Sequence, residues 1–340
     1  MYLFQRYHKI TFVPHEFKKI KMRAFILKGN GGVENLQLTE LPAPAPKAGE
    51  VVLAVKAISI NPVDVAVRAN KAAMDFILQP KEHEPVIPGW DVSGVVTEVG
   101  TGVTKFNTGD EVFGMVNFPG HGRAYAEYVA APQDQLALKP ANIPHSAAAA
   151  ATLAALTAYG SLIRFAKVKP DDKVLIHAAA GGVGHYAVQI AKHLGAYVIG
   201  TGSGASEDFI LGLGADDFLD YRKQNFEDVV KDADVVLDSV PGDPGHIERS
   251  LSALKEGGRL ISLLTFFDDA FKAKLKSRNV FGHRFGVVSD GDAMGVIAGW
   301  LEKSVLKSHV SGAFSFEDLP QTHLQVETGK TRGKIVVILD

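Results

Sequence analysis

Cysteine is absent from this chain of 340 residues. Its absence excludes disulfide bonds, thiolate nucleophiles and every zinc or iron–sulfur site that needs cysteine ligands. Also missing is an apolar run of roughly 18 residues, the length that a membrane-spanning helix requires. Neither sign of charge dominates, because 36 basic side chains are set against 38 acidic ones, for a formal net charge of −2. We therefore expect no nucleic-acid partner and no membrane partner.

The length and composition predict a globular chain of about two domains, since hydrophobic residues make up 46% and charged residues 22% of the sequence. Residues 1–21 differ from the rest, because they are rich in Lys, Arg and aromatic side chains and contain a single acid, Glu16. They lack the continuous apolar segment of a secretory signal. We interpret them as a basic N-terminal extension, with an Arg-rich organelle presequence as the alternative, place the start of the folded unit at Met22 and expect a cytoplasmic protein.

The stretch that organises the chain is a glycine-rich segment between two short apolar runs. Residues 174–176 and 197–199 are typical of strands buried on both faces, and residues 183–194 have helical periodicity. Strand, glycine turn, helix and strand form the unit that binds a dinucleotide, with the pyrophosphate at the helix N-terminus. The alternative is a tight turn with nothing bound. The predicted cofactor contacts on the turn are Ala180, Gly181, Gly182, Val183 and Gly184.

The end of the second strand indicates which dinucleotide is bound. An NAD-binding unit carries an acidic residue about 20 residues past the glycines, but here the sequence reads Thr201-Gly202-Ser203. A carboxylate would repel a 2′-phosphate, whereas hydroxyls and cations accept it. We therefore predict NADPH rather than NADH, although no lysine closely follows Ser203, and the alternative is that these are ordinary loop and surface residues. The predicted pocket consists of Ser203, Tyr221 and Arg222, and Thr201 is a further predicted cofactor contact.

Two styles of sequence divide the chain. From residue 22 to 148, short strand candidates alternate with turn residues, which is typical of a compact barrel-like domain. An Ala-rich helix is predicted from Ala147 toward Leu162. From 149 to 289, strands alternate with helices, which predicts a parallel, doubly wound sheet. The tail, 290–340, returns to the first style and is expected to rejoin the first domain.

Short motifs follow one another along almost the whole chain from Met22. They are Asn61-Pro62-Val63-Asp64, Pro88-Gly89-Trp90-Asp91, Gly109-Asp110-Glu111-Val112, Ala126-Glu127-Tyr128, Leu156-Thr157-Ala158, Gly181-Gly182-Val183-Gly184, Gln189-Ile190-Ala191-Lys192 and Gly333-Lys334-Ile335-Val336. In this order, the set resembles the zinc-free members of the medium-chain dehydrogenase/reductase superfamily, on its quinone oxidoreductase branch.

The resemblance implies an α/β fold with a doubly wound Rossmann sheet, a β-rich GroES-like barrel domain and a cleft between them. It implies hydride transfer from NADPH to a small electrophile, either a quinone or an α,β-unsaturated carbonyl. A homodimer is expected, with a strand near 281–288 paired across a two-fold axis. The zinc-dependent relatives carry Cys where Asn61 stands and a His-Glu pair where Trp90 and Asp91 stand, so no zinc is expected.

The resemblance also suggests which side chains lie at the reaction site. Asn61 is the first candidate for the hydrogen-bond donor to the acceptor oxygen, and Thr157 would face the nicotinamide ring. Tyr159 and Tyr125 are candidate proton donors. Lys334, Asn61 and Thr157 are also predicted to contact the cofactor. For Asn61 and each tyrosine, the alternative is a purely structural hydrogen bond.

Some features limit what the resemblance carries over. Asp64 is expected to hold a turn or to pair with Arg68, and Trp90 to lie in the core or the cleft wall. Residues 72–84 have no clear template in the family and are expected to border the substrate. Two other functions stay open, namely a dinucleotide-binding protein with little catalytic activity, in a structural or partner-binding role, and a zinc alcohol dehydrogenase.

Overall fold

A computed structural model describes residues 20–241 and 243–339. The strands are β1 (Lys21–Leu27), β2 (Leu36–Pro42), β3 (Glu50–Ile60), β4 (Asp91–Val99), β5 (Glu111–Met115), β6 (Tyr128–Pro132), β7 (Leu136–Leu138), β8 (Lys173–Ile176), β9 (Tyr197–Gly202), β10 (Asp217–Asp220), β11 (Ala233–Asp238), β12 (Leu254–Ser262), β13 (Phe281–Arg284), β14 (Val310–Ser315) and β15 (Lys334–Ile338). The helices are α1 (Pro62–Ala69), α2 (Lys71–Ala73), α3 (His145–Ala150), α4 (Leu153–Tyr159), α5 (Gly184–His193), α6 (Glu207–Gly212), α7 (Phe226–Val229), α8 (Pro244–Ser252), α9 (Asp269–Ser277), α10 (Gly291–Glu302) and α11 (Leu319–Glu327). The predicted basic extension, 1–21, lies outside the described residues except for its last two.

The α/β half is a six-stranded parallel sheet in the order β10-β9-β8-β11-β12-β13. This is the doubly wound order 3-2-1-4-5-6, whose direction reverses between β8 and β11. Val174, Leu175 and Ile176 of β8 are fully buried, as a strand covered by helices on both faces requires. The predicted doubly wound sheet is confirmed, and the reversal places a crevice at the carboxyl ends of β8 and β11.

The β-rich half is a seven-stranded sheet along the path β14-β15-β3-β4-β5-β7, with β6 paired to β3. The pairing of β3 with β4 shifts register between Val52 and Leu53 and again between Val55 and Ala57, and such irregularities let a long strand bend and a sheet curl. β15 runs antiparallel to β3, with Val337 opposite Ile58. The C-terminal tail therefore rejoins the N-terminal domain, as the sequence predicted.

The Ala-rich segment departs from the predicted single helix. It forms α3 and α4, separated at Ala151 and Thr152, and Thr152 has φ −90° and ψ −96°. The first N–H of α4, on Leu153, donates to Asp91 Oδ1 at 3.1 Å. The break lets a buried carboxylate of the other half satisfy a helix N-terminus, a contact that alanine content alone does not reveal.

The two halves meet in the segment that precedes β15. Gly333 N donates to Ala180 O at 2.8 Å. Gly333 has φ +60°, and a Cβ there would lie 2.2 Å from His309 O, so this junction requires glycine. The predicted domain limits at 148/149 and 289/290 fall within α3 and just before α10, and they stay predictions. No helix in the described part of the chain is long and apolar enough to cross a membrane.

Candidate cofactor and reaction site

The glycine turn joins the end of β8 to the start of α5. Gly181 N donates to Ala178 O at 2.9 Å, and Ala179 N donates to Thr201 O at 3.0 Å, which fixes the turn against β9. A Cβ added to Gly184 would lie 2.2 Å from Ala178 O and 2.7 Å from Ala179 Cα. Glycine is therefore required where α5 packs on the turn, as the sequence pattern predicts.

The outer side of the turn is less crowded. A Cβ on Gly181 would have one described backbone oxygen within 4 Å, at 3.1 Å, and a Cβ on Gly182 would approach Lys334 Cδ at 3.3 Å. Ala180 and Val183, like these two glycines, are only half-buried. The turn thus offers backbone that a ligand can approach, at the N-terminus of a ten-residue helix, which is what pyrophosphate binding requires.

Asn61 lies between β3 and α1 and is 2% exposed. Its backbone N–H donates to Asp64 Oδ2 at 2.7 Å. Its side-chain amide is held at both ends, because Nδ2 donates to Asp91 Oδ2 at 2.8 Å and Oδ1 accepts from Lys334 Nζ. Lys334 Nζ also donates to Ile60 O at 3.1 Å and lies 3.9 Å from Asp91 Oδ2. An amide, an ammonium and a carboxylate therefore meet beside the glycine turn.

We call Asn61, Asp64, Asp91 and Lys334 the amide cluster. Its ionisable groups are those of Asp64, Asp91 and Lys334, and all three are buried. Burial, reinforced by the neighbouring carboxylate of Asp91, raises the pKa of Asp64 to about 7. Burial also raises the pKa of Asp91 against the opposing effect of Lys334, and it lowers the pKa of Lys334. Asp64 therefore exchanges its proton near neutral pH, within a site where such a shift is typical of function.

The Asp64 carboxyl should make the stability of the fold depend on pH. Because its pKa is higher in the folded chain than in the unfolded chain, its contribution is complete below about pH 4 and is lost as the pH rises through about 7. The stability of Asp64→Asn relative to wild type is therefore expected to be greater at about pH 8 than at about pH 5. Urea unfolding at both pH values measures the change, with the exposed Asp75→Asn as the control. A pH-independent difference for Asp64→Asn would contradict this titration.

Thr157 and Tyr159, both predicted in the reaction site, lie on α4. Thr157 is buried, and its Oγ1 donates to Leu153 O at 2.7 Å. Because Leu153 N donates to Asp91, the start of α4 is anchored to the amide cluster. The Tyr159 ring packs on Trp300, with 5.8 Å between the ring centroids. The catalytic roles of Thr157 and Tyr159 stay predictions.

Tyr125 is fully buried in the β-rich half, and its hydroxyl lies 2.9 Å from His323 Nε2. Burial and the nearby Asp64 raise the pKa of Tyr125 above its ordinary value. Of the two roles expected for Asp64, the structure shows the turn contact, while Arg68 forms its ion pair with Glu327. Trp90 is fully buried, in agreement with the predicted place in the core or cleft wall.

The residues of the predicted 2′-phosphate pocket, Ser203, Tyr221 and Arg222, directly follow β9 and β10, which are adjacent in the sheet, and Thr201 lies within β9. Thr201 is buried, with Oγ1 3.1 Å from His177 Nδ1. Ser203 is half-buried, and Tyr221 is 59% exposed. The Arg222 guanidinium lies 5.8 Å from the centre of the Tyr221 ring. The fold therefore gathers these residues at one edge of the sheet.

A further cation reaches this edge from the other half of the molecule. Arg332 Nη2 donates to Ala205 O, in the turn that directly follows Ser203. The one carboxylate at the end of β10, Asp220, accepts from Arg222 N at 3.0 Å. Sequence reasoning missed Arg332 because 127 residues separate it from Ala205, and no local pattern marks a contact between domains.

The sequence resemblance places the metal of zinc-dependent proteins at the positions that Asn61, Trp90 and Asp91 occupy here. Trp90 Nε1 donates to Gly120 O at 2.7 Å, and an indole offers no lone pair to a metal. Asn61 and Asp91 are hydrogen-bonded to each other, beside the positive charge of Lys334. These donors do not match the three or four N, S or carboxylate ligands that zinc requires.

Comparison with known proteins gives matches in both halves. The family model described as alcohol dehydrogenase GroES-like domain matches residues 47–141, and the model described as zinc-binding dehydrogenase matches residues 213–337. The chain is 34% identical over 328 residues to 2-methylene-furan-3-one reductase of Solanum lycopersicum, and 33% identical over 328 residues to the chloroplastic NADPH-dependent alkenal/one oxidoreductase of Arabidopsis thaliana. Each match covers 93% of this chain and 79% of the relative.

A solved structure of a quinone oxidoreductase from Coxiella burnetii superposes with a TM-score of 0.86 at 32% identity. The superposition covers 94% of this chain and 100% of the other. These matches agree with the doubly wound sheet and with the glycine turn between β8 and α5. They also agree with the antiparallel pairing of β15 with β3. The chain belongs to the medium-chain dehydrogenase/reductase superfamily, on its quinone oxidoreductase-like branch.

Proposed function

We propose that the protein is an NADPH-dependent oxidoreductase that transfers hydride to a quinone or an α,β-unsaturated carbonyl without using zinc. The observation that carries the proposal is the buried cluster of Asn61, Lys334 and Asp91 directly beside the glycine turn. Relatives named as an alkenal/one oxidoreductase and a quinone oxidoreductase support this class of substrate.

The amide cluster supplies what such a reaction needs from the protein. A bound nicotinamide would provide the hydride, and the acceptor oxygen gains negative charge as the hydride arrives, so a nearby donor lowers the barrier. One N–H of Asn61 Nδ2 donates to Asp91, while Ser59 O lies 3.5 Å from Nδ2, too far for a strong bond. The second N–H is therefore held only weakly, by Ser59 O, and is the proposed donor to the acceptor oxygen, while Lys334 fixes the amide orientation through Oδ1.

The test is consumption of NADPH and of NADH with a panel of quinones, enones and simple aldehydes, together with reduction of NADP⁺ and NAD⁺ by simple alcohols. We expect NADPH oxidation with quinones or enones and little turnover of the simple aldehydes and alcohols. NADPH binding without oxidation of any acceptor would instead support the binding-protein alternative. Turnover of simple alcohols would point to the chemistry of the zinc-dependent relatives.

Asn61→Ala should separate catalysis from binding. Loss of the donor is expected to lower kcat by about 100-fold, while the Kd for NADPH changes by less than about threefold, because the turn glycines remain intact. Steady-state kinetics and fluorescence titration of NADPH measure the two quantities. Asn107→Ala, at an exposed turn, is the control for loss of an amide. Equal kcat in Asn61→Ala and wild type would remove Asn61 from the mechanism.

The preference for NADPH over NADH is proposed from the end of β9. Thr201 and Ser203 place hydroxyls where an NAD-binding unit has a carboxylate. Arg332 supplies a guanidinium at the adjacent turn, and arginine is well suited to bind phosphate. No lysine closely follows Ser203 in the sequence, but Arg332 of the β-rich half supplies a cation at this position of the fold.

Arg332→Gln is expected to raise the KM for NADPH about tenfold and to leave the KM for NADH nearly unchanged, because only NADPH carries the 2′-phosphate. Steady-state kinetics with both cofactors and one acceptor measures the effect. The exposed Lys330→Gln on the same segment serves as the control. Equal increases of KM for the two cofactors would show that Arg332 holds the turn rather than the phosphate.

Assembly and location stay predictions. β13 is an edge strand of the Rossmann sheet, and Phe281 at its start is 47% exposed, which supports the predicted homodimer through β13. The cytoplasmic location rests on the sequence composition.

A further inference from the structure

A second buried polar cluster lies at the carboxyl edge of the Rossmann sheet, outside the residues assigned to hydride transfer. His177 directly follows β8, Asp238 ends β11, and both His246 and Ser250 lie on α8. The first two meet because β8 and β11 are neighbours in the sheet. His177, Asp238 and Ser250 are at most 2% exposed, and the His246 side chain is 12% exposed. The cluster is therefore enclosed, with the His246 side chain at its border with solvent.

Four donor atoms converge in this cluster. Asp238 Oδ2 lies 2.8 Å from His246 Nδ1 and 2.9 Å from Ser250 Oγ. Ser250 Oγ lies 3.2 Å from His177 Nε2 and 3.5 Å from His246 Nδ1, and ligand atoms of the two histidines and the aspartate all lie within 4.8 Å of one another. Ligand atoms of a tetrahedral zinc ion are about 3.3 Å apart, since the metal–ligand bonds measure about 2.0–2.1 Å. The four distances between donor atoms given above, 2.8–3.5 Å, bracket this value.

Partners outside the cluster already orient two of the donors. Thr201 Oγ1 lies 3.1 Å from His177 Nδ1, which leaves His177 Nε2 facing the cluster. Val240 N donates to Asp238 Oδ1 at 3.1 Å, which leaves Oδ2 for the cluster. Metal sites in proteins typically fix the tautomer and direction of their ligands through such outer hydrogen bonds.

The charge of the cluster favours a cation. Among the described residues, the ion pair of Asp238 is with His246 and not with a lysine or an arginine. The nearby Arg249 is already paired with two other carboxylates.

We propose that His177, Asp238 and His246 bind a divalent transition-metal ion of the zinc type, with Ser250 or a water molecule as the fourth ligand. The site is distinct from the position of Asn61, where the zinc-dependent relatives bind their metal. It takes no part in hydride transfer and would tie α8 to the edge of the sheet.

This inference departs from the prediction that the chain binds no metal. No regular histidine spacing marks this site in the sequence, because the fold assembles its ligands from the ends of two strands and from one helix. The same residues can also form a complete hydrogen-bond network without a metal ion. Thr201 donates to His177, His177 to Ser250, and both Ser250 and His246 to Asp238, so every group is satisfied. The experiment must distinguish these two states.

Tag-free full-length protein is stripped with a chelator, dialysed against Zn²⁺ and measured by elemental analysis. Wild type should retain about one Zn²⁺ per chain, and Zn²⁺ should raise its Tm by about 3 °C. His246→Gln should weaken Zn²⁺ binding at least about 100-fold. His193→Gln, at an exposed position in the last turn of α5, is the matched histidine control and should bind like wild type.

Cobalt provides a readout that needs no variant. Co²⁺ added to the stripped wild-type protein should give the strong visible absorption of a four-coordinate ion, and Zn²⁺ should abolish it. Absence of bound Zn²⁺ in wild type, a six-coordinate Co²⁺ spectrum, or equal binding by wild type and His246→Gln would overturn the proposal and establish the hydrogen-bonded state. None of these measurements uses NADPH, so they stand apart from the test of the reductase activity.

Discussion

Gly184→Ala is expected to lower the free energy of unfolding by about 3 kcal/mol. The added methyl group would lie 2.2 Å from Ala178 O and 2.7 Å from Ala179 Cα. Both are backbone atoms of the turn, and the turn is held to β9 by the hydrogen bond from Ala179 N to Thr201 O. Neither the added methyl group nor the backbone of the turn can shift without moving α5 away from the sheet. Urea unfolding followed by circular dichroism measures the loss.

Gly181→Val is the informative contrast within the same turn. A Cβ there would lie 3.1 Å from Ala178 O, a small overlap, so the fold is expected to survive with a loss of less than about 1 kcal/mol. NADPH binding should instead fall at least about 100-fold, because the side chain stands where the pyrophosphate approaches. Wild-type NADPH affinity in Gly181→Val would reject this placement of the cofactor, and wild-type stability in Gly184→Ala would reject the packing.

Lys334→Met is expected to cost about 3–5 kcal/mol of stability, the range for removing one partner of a buried charge cluster. The substitution preserves much of the side-chain length but leaves Asp91 and Asp64 without a buried cation, and it leaves Asn61 Oδ1 without its donor. Lys330→Met, four residues earlier and exposed, should change stability by less than about 0.5 kcal/mol.

The pH dependence of Lys334→Met provides an internal check. Without the ammonium, both buried carboxyls bind protons more tightly, so the loss relative to wild type should shrink as the pH falls from about 8 to about 5. A loss that is the same at both pH values would mean that Lys334 acts through packing and not through its charge.

Much of the Rossmann half could be predicted from the sequence, because its elements are local and strongly patterned. The predicted strands at 174–176 and 197–199 lie in β8 and β9, and the glycine turn lies between β8 and α5 as expected. Parallel strands that are buried on both faces appear as continuous apolar runs, and the turn residues have fixed spacings. These signals do not depend on distant parts of the chain.

The amide cluster was less accessible to sequence reasoning. Asn61 and Lys334 were each selected through the resemblance, but 273 residues separate them, and nothing local states that they share a hydrogen bond. The same limit applies to Arg332 at Ala205 and to the break of the Ala-rich helix at Thr152. The Arg332 contact and the break at Thr152 both arise where one domain contacts the other. Such contacts are set by tertiary packing rather than by periodicity.

The late position of β15 has a consequence for biosynthesis. The strand that closes the β-rich sheet and carries Lys334 comprises Lys334–Ile338, within the last seven residues of the chain. During translation the six parallel strands can associate before β15 has been synthesised, but Asp64 and Asp91 lack their counter-ion until β15 joins the β-rich sheet. The reaction site is therefore completed after the nucleotide lobe, and a chain that stops short of residue 334 would fold that lobe beside an unfinished barrel.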